Sequence, residues 1–200
     1  VERQVATGIV VVSPTLFVTV NEPGEDACRS SCAYTCVDSP DHATLSVHTD
    51  ESYTLAVEAN GTMRIAAATH VGVVRGLSTL SQLIQWDGQQ HVISCVSLTI
   101  RDSPTHAWRG LMIDTSRHFI PLEDLYRTVD GMENLKLNVF HWHIVDAQSF
   151  PYESKVKPLL SQRGAYHKTA VYTQADIRAF IEYAFQRGIR VVPEFDIPAH

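Results

Sequence analysis

The rhythm of apolar positions changes near Pro104. Upstream, Tyr53, Leu55, Val57 and Ala59 alternate with their neighbours, Asn60-Gly61 follows, and Met63 and Ile65 resume the alternation. That pattern predicts a hairpin with Asn60-Gly61 as a two-residue turn. Val73, Leu77, Leu80 and Ile84 then recur at helical spacing, and Val96, Leu98 and Ile100 alternate until Asp102-Ser103-Pro104 breaks the run. Strands around one helix predict a small α+β domain over residues 1–104. Residues 21–41 show no period and hold Pro23, Gly24, Pro40, Cys28, Cys32 and Cys36, so they read as a loop or insertion.

Downstream the order becomes strand, helix, strand, helix, strand. Leu122, Leu125, Tyr126, Val129, Met132 and Leu135 make one stripe of a helix from about Pro121 to Lys136, with Pro121 suited to the first helical position. A second helix is marked by Thr173 and Asp176 as a capping box, by the stripe Ile177, Phe180, Ile181, Ala184 and Phe185, and by Gly188 as a stop. The intervening segments 110–118, 137–146 and 189–200 are rich in apolar residues, as expected of parallel strands buried on both faces. The fold class is therefore α/β: over residues 105–200, the first three β/α units of a (β/α)8 TIM barrel, incomplete, behind the α+β domain.

Composition narrows the function classes. With 44% hydrophobic residues the chain is long enough for one or two packed cores, and a net charge of −6 without clustered Lys and Arg excludes a nucleic-acid partner. No apolar run reaches the roughly 18 residues of a membrane span. Val1 is not followed by a basic and then apolar leader, so a secretion signal is expected to have been removed or to lie upstream. Cys28, Cys32, Cys36 and Cys95 allow three disulfide pairings, with zinc ligation or free thiols as the competing readings. Asn60-Gly61-Thr62 is also an N-glycosylation sequon. Together these point to the secretory pathway, with a secreted or lysosomal/vacuolar destination.

Charged residues collect at the downstream ends of the three predicted strands: Asp114, Arg117, Asp146, Glu194, Asp196 and His200. Parallel barrel strands bring such ends to one rim, where active sites form. For Asp114 and Glu194 a structural, capping role stands beside the functional one. His141 and His143, alternating in His-Trp-His, fit either buried hydrogen-bonded histidines or the ligand pair of a metal-dependent hydrolase.

Three motifs, RGLMIDTSRHFIP, KLNVFHWHIVDAQSFPYES and RGIRVVPEFDIPAH, together resemble glycoside hydrolase family 20, the β-N-acetylhexosaminidases. The upstream segment with VRGLSTLSQLI is similar to that family's non-catalytic N-terminal domain. The resemblance implies a retaining exo-glycosidase that removes terminal N-acetylglucosamine or N-acetylgalactosamine from oligosaccharides or glycoconjugates, with no cofactor and no metal. The acetamido oxygen of the substrate serves as nucleophile, in place of an enzyme carboxylate.

It further implies that Arg117 binds sugar hydroxyls, and that Asp146 and His200 form a pair supporting the acid/base glutamate. In the family that glutamate lies in a Gly-Asp-Glu-type motif after the fourth barrel strand. This chain has no such motif, and its one Asp-Glu pair, Asp50-Glu51, lies far upstream. The expectation is therefore the N-terminal part of a longer enzyme, inactive alone and homodimeric at full length; a non-catalytic carbohydrate-binding relative is the alternative. Ala147 and Ala199 depart from the family pattern, which often has an acidic residue and a glycine there.

Overall fold

The computed structural model of the protein describes residues 2–11, 16–20, 45–198 and 200; the side chains of the first two strands and of Val96 fall outside the description. The cysteine-bearing segment 21–41, with Cys28, Cys32 and Cys36, and Ala199 also lie outside the described residues. The chain divides into two compact units, Val1–Ala107 and Trp108–His200.

The first unit contains strands β1 (Glu2–Val11), β2 (Leu16–Val20), β3 (Tyr53–Val57) and β4 (Met63–Ala67), helix α1 (His70–Leu83), and strands β5 (Gln85–Trp86) and β6 (His91–Asp102). The sheet runs β1-β6-β3-β4-β2, with β5 paired to β6. Strands β2 and β4 are parallel. Alternation decides the buried face: Tyr53, Leu55 and Val57 pack with Met63, Ile65, Leu98 and Ile100. Ser97 takes a positive φ of 55° where β6 slips by one residue against β1. This is a bulge, and the buried positions change phase across it, from Ile93 to Leu98.

The hairpin forms, but its turn is longer than two residues. The Glu58 N–H donates to the Thr62 carbonyl at 2.8 Å and the Gly61 N–H to the Glu58 carbonyl at 3.0 Å, so Ala59, Asn60 and Gly61 make the loop. Gly61, at φ 85°, takes the left-handed position, while Asn60 keeps a negative φ and accepts the Thr62 N–H on Oδ1 at 2.9 Å. A three-residue loop of this kind needs one left-handed residue, whereas the two-residue type needs two.

Helix α1 is also turned relative to its expected stripe. Val71, Gly72, Arg75, Gly76 and Leu80 are buried, whereas Leu77 is exposed. The glycines explain this: a Cβ on Gly72 would sit 2.4 Å from the Ser52 carbonyl oxygen, and one on Gly76 would sit 2.7 Å from Ile65 Cγ2. The bare backbone lies against the sheet. Arg75 is buried beside them because its Nε donates to Glu51 at 2.8 Å, which gives Glu51 a structural partner. Cys95 in β6 is half-buried and has no disulfide partner among the described residues.

The second unit contains β7 (Gly110–Asp114), α2 (Leu122–Asn134), β8 (Val139–Val145), α3 (Leu159–Gly164), α4 (Gln174–Gln186) and β9 (Arg190–Phe195). Its three strands are parallel in the order β7-β8-β9. Phe140, Trp142 and Ile144 of β8 pack with Leu125, Val129 and Met132 of α2 and with Phe180 and Ala184 of α4. The Trp142 and Phe180 rings stand 5.0 Å apart in an edge arrangement. Helix α4 has the predicted capping box between Thr173 and Asp176.

Both long helices end alike. Gly188 at φ 67° follows α4, and its N–H and that of Ile189 return to the carbonyls of Phe185 and Ala184. After α2 the same pattern is made by Lys136 at φ 55°, with Leu137 bonding to Met132. Pro121 is the cap of α2 and precedes its first residue, and Leu135 is 72% exposed, beyond the buried stripe. Ile181 of α4, counted in the predicted stripe, is exposed too. Burial on both faces holds for β8 but not for its neighbours, where Leu111, Met112 and Phe195 are exposed. The reason is position: β8 is hydrogen-bonded along both edges, and β7 and β9 along one among the described residues. Helix α3 was not predicted; at six residues it is too short for a periodic stripe.

Candidate active site at the strand ends

Strand β7 ends at Asp114, whose Oδ1 accepts the N–H groups of Ser116 at 2.9 Å and Arg117 at 3.1 Å. This side-chain turn stops the strand and presents Arg117 just beyond it. The guanidinium then reaches three acceptors: Nη1 pairs with Asp114 Oδ2, Nη2 lies 2.6 Å from Asp146 Oδ2, and Nε donates to Gln148 Oε1 at 3.0 Å. A planar fork of donors suits such a set.

Asp146 directly follows β8, with its side chain fully buried. Its Oδ1 accepts the Ala147 N–H at 2.6 Å. Its Oδ2 is shared by Arg117, by His143 Nε2 at 3.1 Å and by His200 Nδ1 at 3.0 Å. His200 Nδ1 is also 2.8 Å from Asp196 Oδ2, and the ring is 65% exposed. Arg117, Asp146 and His200 thus meet at one carboxylate oxygen, although 83 residues separate the outer two in sequence.

Burial pushes the Asp146 carboxyl up, but the Ala147 N–H, the Arg117 charge and His200 outweigh it and hold the group below the ordinary aspartate range. At Asp114, burial is likewise opposed by hydrogen bonds and charge from Arg117, with the same net direction. The Asp114 hydrogen bond in turn raises the Arg117 pKa. All three groups are therefore charged at neutral pH, and the site is an ion-pair network around one cation.

The other strand-end residues divide into two sets. Asp114 serves both as a turn cap and as a partner of Arg117, and Asp196 joins through His200. Glu194 stands one step along, with its Oε2 2.7 Å from His141 Nε2 and 3.6 Å from His143 Nδ1. His141 and His143 share a strand face, but only His143 is buried. Both approach Glu194, and His143 alone also reaches Asp146.

Among the described residues, His143, Asp146 and Asp196 could offer three ligand atoms within 4.8 Å of one another. A divalent cation there would compete for Asp146 Oδ2 with the Arg117 guanidinium. The sequence placed Asp196 at the rim and read His143 as a buried hydrogen-bonded histidine or a metal ligand, without joining either to Asp146; the structure buries His143 and bonds it to that carboxylate. Asn60, far from these residues in sequence, is exposed in its hairpin loop.

Residues 106–200 match the glycosyl hydrolase family 20 catalytic-domain model, and residues 12–83 match the model described as beta-acetyl hexosaminidase like. The chain is 42% identical over 179 residues to the chitooligosaccharidolytic beta-N-acetylglucosaminidase of Bombyx mori, covering 87% of this chain and 30% of that protein. It is 48% identical over 155 residues to human beta-hexosaminidase subunit beta, covering 77% of this chain and 27% of that one.

The fold superposes on the Flavobacterium johnsoniae chitobiase with a TM-score of 0.82 at 31% identity, over 100% of this chain and 34% of that one. A Vibrio harveyi exo-beta-N-acetylglucosaminidase in complex with N-acetylglucosamine gives 0.66 at 33% identity, over 75% of this chain and 26% of that one. The chain spans about 30% of the length of the curated relatives it matches.

Proposed function

The chain belongs to glycoside hydrolase family 20, its second unit being part of that family's TIM barrel, and from that premise we propose that it contributes the sugar-holding half of a β-N-acetylhexosaminidase active site. The reaction is the release of terminal, non-reducing N-acetylglucosamine or N-acetylgalactosamine with retention at the anomeric carbon. The observation that carries this reading is the meeting of Arg117, Asp146 and His200 at one carboxylate oxygen, at the C-terminal rim of three parallel strands.

Each residue has a task that its surroundings suit. Arg117 is one-third exposed and fixed by two carboxylates and an amide, so its remaining donor directions can meet sugar hydroxyls in a preset orientation. Asp146, ionised and fully buried, accepts the Nδ1–H of His200, which fixes the tautomer and leaves Nε2 as the working nitrogen. That nitrogen supports the acid/base glutamate, which belongs to a part of the enzyme other than these 200 residues. The substrate's acetamido oxygen attacks the anomeric carbon while the glutamate protonates the leaving oxygen, and the same glutamate then activates water. No cofactor takes part.

Among the described residues no helix is long and apolar enough to cross a membrane. A secreted or lysosomal/vacuolar protein glycosylated at exposed Asn60, acting on amino-sugar oligosaccharides and homodimeric at full length, completes the proposal. The test of its chemistry is a substrate series assayed with the full-length enzyme: 4-nitrophenyl N-acetyl-β-glucosaminide, its N-trifluoroacetyl analogue and the plain β-glucoside. Rates should fall steeply as the amide oxygen loses nucleophilicity, and should vanish for the glucoside. Equal turnover of all three would exclude attack by the acetamido group.

A further inference from the structure

Beneath the charged network, Ser116 and Ser149 are both buried. The Ser116 Oγ donates to the Ser149 carbonyl at 2.9 Å, and the Ser149 Oγ donates to the Ser116 carbonyl at 2.7 Å. The Ser149 N–H donates back to Ser116 Oγ at 3.2 Å. The bonds are reciprocal and close a small ring between two loops 33 residues apart. One loop follows β7 and carries Arg117, the residue after Ser116; the other follows β8 and carries Asp146, whose own N–H donates to the Ser149 carbonyl at 3.2 Å. Gln148, which accepts from Arg117 Nε, precedes Ser149.

Thr115 strengthens the first loop's attachment. Its Oγ1 accepts the Trp142 indole N–H at 2.9 Å and donates to the Ile144 carbonyl at 3.3 Å, and its N–H donates to the His143 carbonyl at 3.0 Å. Trp142 is fully buried in the core, so the loop is fastened to the central strand of the unit's sheet.

We propose that Ser116 and Ser149 are positioning residues: their reciprocal hydrogen bonds lock the turn carrying Arg117 to the loop carrying Asp146, and so set the Arg117–Asp146 contact on which sugar binding depends. The proposal rests on the reading of Arg117 as the sugar-binding residue. An arginine side chain has many rotamers, and one anchored on a loose turn would spend binding energy on its own ordering. The buried ring removes that cost before substrate arrives. A merely structural pair of serines would affect stability without this dependence on Arg117.

The experiment is a double-mutant cycle in the full-length protein, with Ser116→Ala, Ser149→Ala and Arg117→Ala alone and each serine change combined with Arg117→Ala. Calorimetric affinity for N-acetylglucosamine should fall about tenfold in either serine variant, and adding a serine change to Arg117→Ala should cost nothing more. Equal losses with and without Arg117, or folded serine variants that bind as wild type, would overturn the lock.

Carbon-13 NMR titration of the Asp146 carboxyl gives a readout independent of sugar. The charged or titratable groups facing that carboxyl are Arg117, His143 and His200, with Asp196 behind His200. Both serine variants should raise its pKa, and Arg117→Ala should do the same. An unmoved titration contradicts the lock. If Arg117→Ala leaves sugar affinity intact while the serine variants still move the titration, the sugar-binding role falls and the lock stands.

Discussion

Asp146 concentrates the site's electrostatics on one atom, since its Oδ2 serves Arg117, His143 and His200 together. Its carboxyl is held below the ordinary range, so its contribution to stability is fully present above the unfolded value near about pH 4 and is lost as pH falls through the folded value. Asp146→Asn should therefore flatten the acid limb of the stability curve, measured by urea unfolding at stepped pH; an unchanged limb would show that the ion pairs contribute nothing. Lys136 offers a separate test. It adopts φ 55° without being glycine, and Lys136→Gly should stabilise the fold by about 1 kcal/mol in denaturant titration.

At this scale the motifs made Arg117, Asp146 and His200 legible, because each follows an apolar strand-like run. His143 was visible but ambiguous between core and ligand. The Ser116–Ser149 ring was invisible, since serines in loops are common and only tertiary pairing distinguishes these two.

Elements were legible where period and end signals agreed. Helix α4 has its stripe, its capping box and its glycine stop; Thr173→Ala should cost about 1 kcal/mol of stability, read from thermal or denaturant unfolding. Helix α1 was placed but turned the wrong way. Its apolar residues were counted as the buried face, whereas Gly72, Gly76 and the paired Arg75 supply much of it. Hydrophobic periodicity gives no weight to glycines or to a compensated arginine. Gly72→Ala should consequently destabilise the protein by about 1–3 kcal/mol, because its new Cβ meets the Ser52 backbone oxygen at 2.4 Å and backbone cannot swing aside. A neutral result would mean that α1 moves freely on its sheet. The hairpin shows a similar gap: Asn-Gly marked the turn, while its length depended on which residue took the left-handed conformation.

For the whole molecule, alternation on β8 divides labour between its two faces. Phe140, Trp142 and Ile144 face the helices, and His141 and His143 carry polar groups to the other side, where the strand ends meet. The exposed Leu111, Met112, Phe195 and Ile197 predict that residues 1–200 expressed alone will bind a hydrophobic dye strongly, with fluorescence titration as the check.

Steady-state kinetics of the full-length protein on 4-nitrophenyl N-acetyl-β-glucosaminide test the central claim most directly, comparing wild type with Arg117→Ala and Asp146→Asn across pH. Arg117→Ala should raise KM at least about tenfold, and Asp146→Asn should lower kcat about 100-fold with a displaced pH profile. Wild-type kinetics and an unmoved profile in both variants would contradict the account.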